Sequence, residues 1–473
     1  MDKIPIAVAF GDGVGPEIMQ AVLHILNEAK CPLEYHPVLI GEKAYHKGSI
    51  TGIEATARDK LKNTRAFLKS PSESYISGEY KNISGVFIKN LGLFTNIRPC
   101  ISYFPFIKTS HPEMNVLIVK GNLEDLHCKI EYLQSCDTAK ADRIITYSYS
   151  KKIIQFAFEY AKRCGCKKIT CMTKDSILTK TDALFKMVFD EVSKYYPDII
   201  NDHYPIDKGI AALVSTPEIF DVLVMPGIYG DISSKILSKT CGSTEICPSI
   251  NIGEHYALFE TVHGPAIDIA NKGTANPSAL LLSAIQMLNY LNLSDYAKSI
   301  YRAFLSTIEQ GLHTEDIFNE NISKKRLNSE NFAEEIIKNL SNKPKTLNES
   351  VFFKSELSMQ QQITKRKMCK RNLVGVDITI FSDKEIDSFL DKISHMSEAN
   401  LHLKAIFNRG IEIWPEKPLY SNLCDQYSIR FLNNDLRSIS QEVVTKLLQD
   451  FNRVELEVLN LEYLYIIDGK AGF

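Results

Sequence analysis

A chain of 473 residues is long for one hydrophobic core and predicts two or three domains. Its 44% hydrophobic and 24% charged content is that of a soluble globular protein, and a net charge of −2 leaves no bulk basic field for nucleic acid or a membrane surface. No run approaches the roughly eighteen apolar residues of a membrane span. The opening MDKIPIAVAFGDG lacks the charged-then-apolar pattern of a secretory signal, so a cytoplasmic protein is expected. The eleven cysteines are odd in number and lack framework spacing. Cys164, Cys166 and Cys171 cluster without the His or Cys partners of a zinc set, so reduced thiols are expected.

In chain order, Ile4 to Phe10 predicts a strand that ends at GDG, and Pro16 opens an amphipathic helix through Ala29. A tight turn with close helix packing accounts for these glycines. From Lys69 to Pro99 the chain carries Ser70, Ser72, Ser74, Asn82 and Ser84. Hydroxyl and amide groups leading into a helix suit a carboxylate-binding loop, and a plain polar surface loop has the same composition. Val116 to Val119 predicts a strand, residues 152 to 163 a helix, and Lys168 to Met172 a strand with Lys174 just beyond it. A Lys in that place is ordinarily a solvated charge.

The stretch from Glu260 to Pro277, ETVHGPAIDIANKGTANP, lies between a strand ending at Phe259 and an apolar helix from Ser278. Its Gly and Pro positions fix unusual turns, which lets backbone N–H groups and the His263 ring meet a flat or anionic ligand. A plain connection fits the composition equally well. Residues 341 to 371 hold SNKPK, QQQ and KRK without periodicity and predict a linker. Beyond it, strand Val374 to Phe381, helix Lys384 to Ser397, strands Leu401 to Phe407 and Ser428 to Leu432, helix Gln441 to Phe451 and strand Val454 to Leu464 give βαββαβ. That order predicts a small α+β ferredoxin-like domain over 372 to 473.

The HG-x-A-x-DIA…ANP pattern of the Glu260 loop, GDGVGPE (Gly11 to Glu17) and IYGDISS (Ile228 to Ser234) together closely resemble the isocitrate/isopropylmalate dehydrogenase family. The resemblance covers about residues 1 to 340. It implies an α/β two-subdomain fold that is not a Rossmann fold, and oxidative decarboxylation of isocitrate to 2-oxoglutarate with Mg²⁺ or Mn²⁺ and NAD or NADP. The longer bacterial homodimeric members are similar in carrying an extra C-terminal domain.

On that resemblance Lys174 assists hydroxyl deprotonation, and His127 stands in for a catalytic tyrosine. Ser74, Asn82, Ser84, Arg98 and Lys120 bind substrate, and Asp207 and Asp231 bind the metal. Glu260, His263, Gly264, Asp268, Ile269, Asn276 and Asp316 are the implied cofactor contacts. Lys174 and Asp207 are implied to reach the site of the neighbouring subunit. Asp268 followed by Ile269 argues for NAD, because a carboxylate accepts hydrogen bonds from the ribose hydroxyls and repels a 2′-phosphate.

Several positions depart from the family pattern. Ser74 replaces a threonine, Asn82 and Ser84 exchange a Ser/Asn order, Ile88 and Lys120 replace arginines, His127 replaces the tyrosine, and Lys235 replaces an aspartate one helical turn after Asp231. Loss of an arginine removes a bidentate carboxylate clamp. These changes motivate two rival expectations: a catalytically impaired homologue kept as a binding or structural subunit, and a dehydrogenase of a related 2-hydroxy acid such as isopropylmalate or tartrate.

Overall fold

The computed structural model describes residues 3–72, 83–348, 369–398, 400–416, 418–419 and 422–473. Contacts divide the chain into two compact units, residues 1–128 with 143–362, and residues 129–142 with 363–473.

The first unit is built on a ten-stranded sheet. Across the sheet the strands run Leu33–Pro37, Ile4–Ala9, Ala66–Lys69, Ala257–Thr261, Pro248–Ile252, Thr95–Ile101, Asn115–Gly121, Val222–Met225, Lys168–Thr173 and Ile200–Pro205. The four strands at either end pair in parallel, while the three contacts in the middle are antiparallel. Two parallel wings of opposite direction are thus joined by an antiparallel centre. This is the two-subdomain arrangement expected, and it differs from the single parallel run of a Rossmann fold.

Helices follow the local signals. Tyr147–Cys164 begins earlier than apolar spacing alone predicts because Thr146 caps it, accepting a hydrogen bond from Tyr149 N. It stops at Gly165, which takes the left-handed conformation of a helix terminator. Ser278–Tyr290 is apolar all round and is buried from Ser278 to Asn289 at the centre of the fold.

The first βα turn is also a support. Val14 N donates to Pro265 O at 2.8 Å. Gly13 has φ +58°, and a Cβ there would lie 2.0 Å from Pro265 O, so only glycine lets the two loops meet. Glu17, on the helix that follows, accepts from Ala275 N at 2.9 Å, Gly273 N at 3.3 Å and Ser329 Oγ at 2.6 Å. The GDGVGPE turn therefore props the far side of the Glu260–Pro277 loop.

The second unit is an antiparallel six-stranded sheet, ordered Ile411–Trp414, Leu401–Asn408, Gln426–Asn433, Arg371–Phe381, Glu457–Ile467 and Lys470–Ala471. Its four long strands and helices Asp387–Ser394 and Gln441–Arg453 realise the predicted βαββαβ order. Two short strands, Ile411–Trp414 and Lys470–Ala471, extend it, and Phe389, Ile393, Val444, Leu447 and Phe451 pack the helices on the sheet. The hairpin Glu131–Leu133 with Ala139–Ala141 groups with this unit, where Thr138 Oγ1 donates to Asp425 Oδ1 at 3.0 Å.

Candidate active site

The helix Gly227–Thr240 starts where strand Val222–Met225 ends and carries the IYGDISS residues in its first turns. Asp231 is the focus of three basic side chains brought from distant sequence. Arg98 Nη2 lies 2.9 Å and Lys120 Nζ 3.1 Å from its Oδ1, and His127 Nε2 lies 2.8 Å from its Oδ2. Arg98 also donates to Ser234 Oγ. Helix and bases approach closely because a Cβ at Gly227 would lie 2.5 Å from His127 Nδ1, and one at Gly230 would lie 2.5 Å from Lys120 Cβ.

Burial alone would raise the Asp231 carboxyl. The hydrogen bond from His127 and the charges of Arg98 and Lys120 outweigh it and hold the carboxyl well below the usual range. Burial, and then the charge of Arg98, lower Lys120 to about 8 against the pull of Asp231. Arg98 Nε and His127 Nδ1 are buried with no hydrogen-bond partner among the described residues. A built site leaves such polar atoms for a ligand.

Strand register extends this cluster across the sheet. Lys120 pairs with Asn96, Asn96 with Asn251, and Lys69 with Glu260, so alternation places these side chains on one face. They form a continuous polar stripe. Lys120 Nζ reaches Asn122 Oδ1 at 3.3 Å, and Asn122 Nδ2 donates to Asn251 Oδ1 at 2.9 Å. Asn251 Nδ2 donates to Glu260 Oε1, and Lys69 Nζ to Glu260 Oε2, each at 2.9 Å. Ser84 Oγ completes the carboxylate at 3.1 Å. Burial would raise Glu260, and the Lys69 ammonium brings it below its usual value.

The cofactor-loop residues meet a second group. His263 Nε2 lies 3.0 Å from Glu245 Oε2 without hydrogen-bond alignment, and its Nδ1 contacts Gly264 O at 3.0 Å. Burial pushes His263 down to about 4, while burial and the neighbouring charge of Asp316 push Glu245 up to about 8. Burial thus favours the neutral form of each, which weighs against an ion pair at this contact. Asp316 accepts from Asn276 Nδ2 at 3.1 Å, from Thr314 Oγ1 at 2.7 Å and from Ser243 Oγ. Asp268 is exposed on the turn Ile267–Ile269, and the open side of Gly264 has no neighbouring atom within 4 Å. An orphaned ring nitrogen beside an open backbone edge and an exposed carboxylate fits a dinucleotide.

Lys174 and Asp207 form their own pair at 2.9 Å, and the Lys174 hydrogen bond lowers the exposed Asp207 carboxyl. Lys174 is placed by its backbone, since its N donates to Asp182 Oδ2. Asp182 is fully buried and also takes Arg143 Nη1 and, at 3.0 Å, Tyr229 OH. Arg143 in turn holds Asp125, whose Oδ2 accepts from Ile228 N at 2.9 Å. This buried brace aligns the Lys174 strand end with the start of the Asp231 helix. The sequence reading passed over it, as it did Lys69, Asn251 and Glu245.

Asp207 and Asp231 are engaged by different cations and do not meet within one chain, as the resemblance implies for residues that serve sites of different subunits, and no group of three His, Cys, Asp or Glu among the described residues of this chain could hold a metal. Both oxygens of Asp231 are taken by basic side chains, and one turn along the helix stands an ammonium, Lys235, whose Nζ donates to Val262 O at 2.6 Å. Asp231 thus offers no free oxygen and Lys235 offers none at all, so this chain's own residues on the helix do not fit the Mg²⁺ or Mn²⁺ inferred from the resemblance, which needs several oxygen ligands. Ile88 is partly buried and packs against the apolar cluster that includes Phe67 and Phe87. Ser74 and Asn82 lie outside the described residues.

Residues 5–336 match the family model for isocitrate/isopropylmalate dehydrogenase, and residues 371–473 match that for the C-terminal domain of bacterial isocitrate dehydrogenase. The chain is 41% identical over 477 residues to a Rickettsia prowazekii protein named isocitrate dehydrogenase [NADP], covering 99% of this chain and 98% of the relative. It is 32% identical to a Thermus thermophilus protein of the same name, covering 99% and 94%. A crystal structure of a protein from Thermus thermophilus superposes with a TM-score of 0.92 at 31% identity, covering 99% of this chain and 95% of that one. The chain belongs to the isocitrate/isopropylmalate dehydrogenase family.

Proposed function

We propose that the chain catalyses oxidative decarboxylation of isocitrate to 2-oxoglutarate, in the cytoplasm and as a homodimer. The convergence of Arg98, Lys120 and His127 on Asp231 carries this proposal, in a chain whose relatives of matching length are named isocitrate dehydrogenase. Arg98 and Lys120 turn from Asp231 to the substrate carboxylates, with Ser74, Asn82 and Ser84 on the same ligand. Lys174 and Asp207 act in the neighbouring subunit's site, where Lys174 assists removal of the hydroxyl proton. His127 Nε2 delivers a proton to the carbon that loses CO₂, a task an imidazole performs near neutral pH.

A bound nicotinamide dinucleotide supplies the hydride acceptor. Glu260, His263, Gly264, Asp268, Ile269, Asn276 and Asp316 hold and orient it. Asp268 argues for NAD, whereas the relatives' names carry NADP. Residues 1–340 are assigned to catalysis, 341–371 to a linker and 372–473 to assembly.

The test is NADH or NADPH formation from isocitrate by the purified dimer, with each cofactor, in Mn²⁺ and in EDTA. Turnover with either cofactor supports the assignment, and the NAD to NADP ratio tests Asp268. Silence throughout would favour a binding subunit without turnover. Ile88, which puts an apolar side chain packed on the Phe67 and Phe87 cluster where the family has an arginine, is the observation on that side.

A further inference from the structure

We propose that Lys235 is the electrophile of this site, an ammonium that takes the place of a divalent metal ion. The charges that hold and polarise the hydroxy acid from this chain are then those of Lys235, Arg98 and Lys120. This rests on the isocitrate assignment above and names how that site works.

Four observations support it. Asp231 and Lys235 are four residues apart on one helix and so share a face. Their charges interact: after burial, the neighbouring Arg98 charge lowers Lys235 and the Asp231 carboxylate opposes it. The ammonium is exposed and anchored, because one of its three protons goes to Val262 O, next to His263 of the cofactor loop. Lys235 thus stands between the basic cluster and the loop that would hold the nicotinamide dinucleotide. Finally, Arg98, Lys120 and Lys235 outnumber the Asp231 carboxylate by two positive charges. A tricarboxylate answers that excess, and a divalent cation would double it.

The chemistry balances without a metal. The hydroxyl proton passes to a base as the hydride leaves the same carbon for the nicotinamide ring, which is the oxidant. The C–C bond to the β-carboxylate then breaks, its electron pair enters the new carbonyl as an enolate, and CO₂ departs. An ammonium donating to that oxygen stabilises the charge as it forms. A proton from His127 then quenches the enolate carbon.

Two measurements on the full-length protein test this. In the first, Mn²⁺ is titrated and followed by electron paramagnetic resonance, without nucleotide or substrate. Wild type is expected to bind no Mn²⁺ at this site, and Lys235→Asp to gain one ion per chain. One Mn²⁺ per wild-type chain, lost in Asp231→Asn, would overturn the proposal. In the second, isocitrate binding is measured by calorimetry in EDTA and in Mn²⁺. Affinities within about twofold of each other support the proposal, and a Mn²⁺ requirement of about tenfold or more refutes it. If isocitrate binds in neither condition, the substrate assignment fails, and the Mn²⁺ titration still decides for or against Lys235.

Discussion

Replacing Lys69 with methionine tests the polar stripe directly. Lys69 is 3% exposed and Glu260 is 9% exposed, so this ion pair is shielded from water. Methionine keeps most of the stem volume but leaves the Glu260 carboxylate with only Ser84 and Asn251 as partners. Removing one member of a buried ion pair costs about 3–5 kcal/mol. The two remaining hydrogen bonds argue for the lower end, about 3 kcal/mol. At roughly 2 °C per kcal/mol for a unit of this size, the transition should fall by about 6 °C. The assay is thermal unfolding by circular dichroism, with Lys69→Met/Glu260→Gln alongside.

The double variant removes the orphaned charge and should recover about half of the loss. The deficit of the single variant should also shrink from pH 8 to pH 5. In wild type Glu260 has a lowered folded pKa, so its stabilisation is present above the unfolded value and is lost as pH falls. In Lys69→Met the buried carboxyl instead gains from taking up a proton. A shift below about 2 °C, or a double variant no better than the single, would show that the pair does not support the sheet.

Three further outcomes are expected. Gly230→Ala gains about 1 kcal/mol of helix propensity but drives a methyl into Lys120, an overpacking cost of about 1–3 kcal/mol. Stability should therefore change little while KM for isocitrate rises about tenfold, and an unchanged KM would contradict the placement of Lys120. Glu245→Gln should stabilise the protein at pH 8 to 9 and match wild type below pH 5. The raised folded pKa means that wild type loses stability as pH climbs from the unfolded value through about 8, which thermal melts across pH will read. Asp182→Asn leaves Arg143 without its full charge partner in a fully buried site and should cost about 2–3 kcal/mol in denaturant melts.

What could be read in advance followed how local its signal was. The helix starts near Pro16, Ser278 and Gln441, the C-terminal βαββαβ order and the loops around His263 and Asp231 were legible, because turns, caps and periodicity are written within a few residues. Arg98, Lys120, His127 and Asp231 were singled out by motif and do meet. Lys69 was not, since its partner Glu260 lies 191 residues away and nothing near Lys69 announces it. Glu245 carries no local signal either, since only the fold brings it against His263. The metal pair was implied by the family resemblance, and a motif does not reveal that basic side chains occupy both oxygens of Asp231 in this chain.

The polar stripe has a consequence for assembly of the sheet itself. The antiparallel centre is built largely from apolar strands, and such strands could pair out of step while still hiding their greasy faces. Asn96, Asn251, Glu260, Lys69 and Lys120 forbid this. A slip of one residue would turn a charged end to the opposite face, stranding ions where nothing answers them. The residues that make the ligand site therefore also act as the key that lets only one alignment of the strands close.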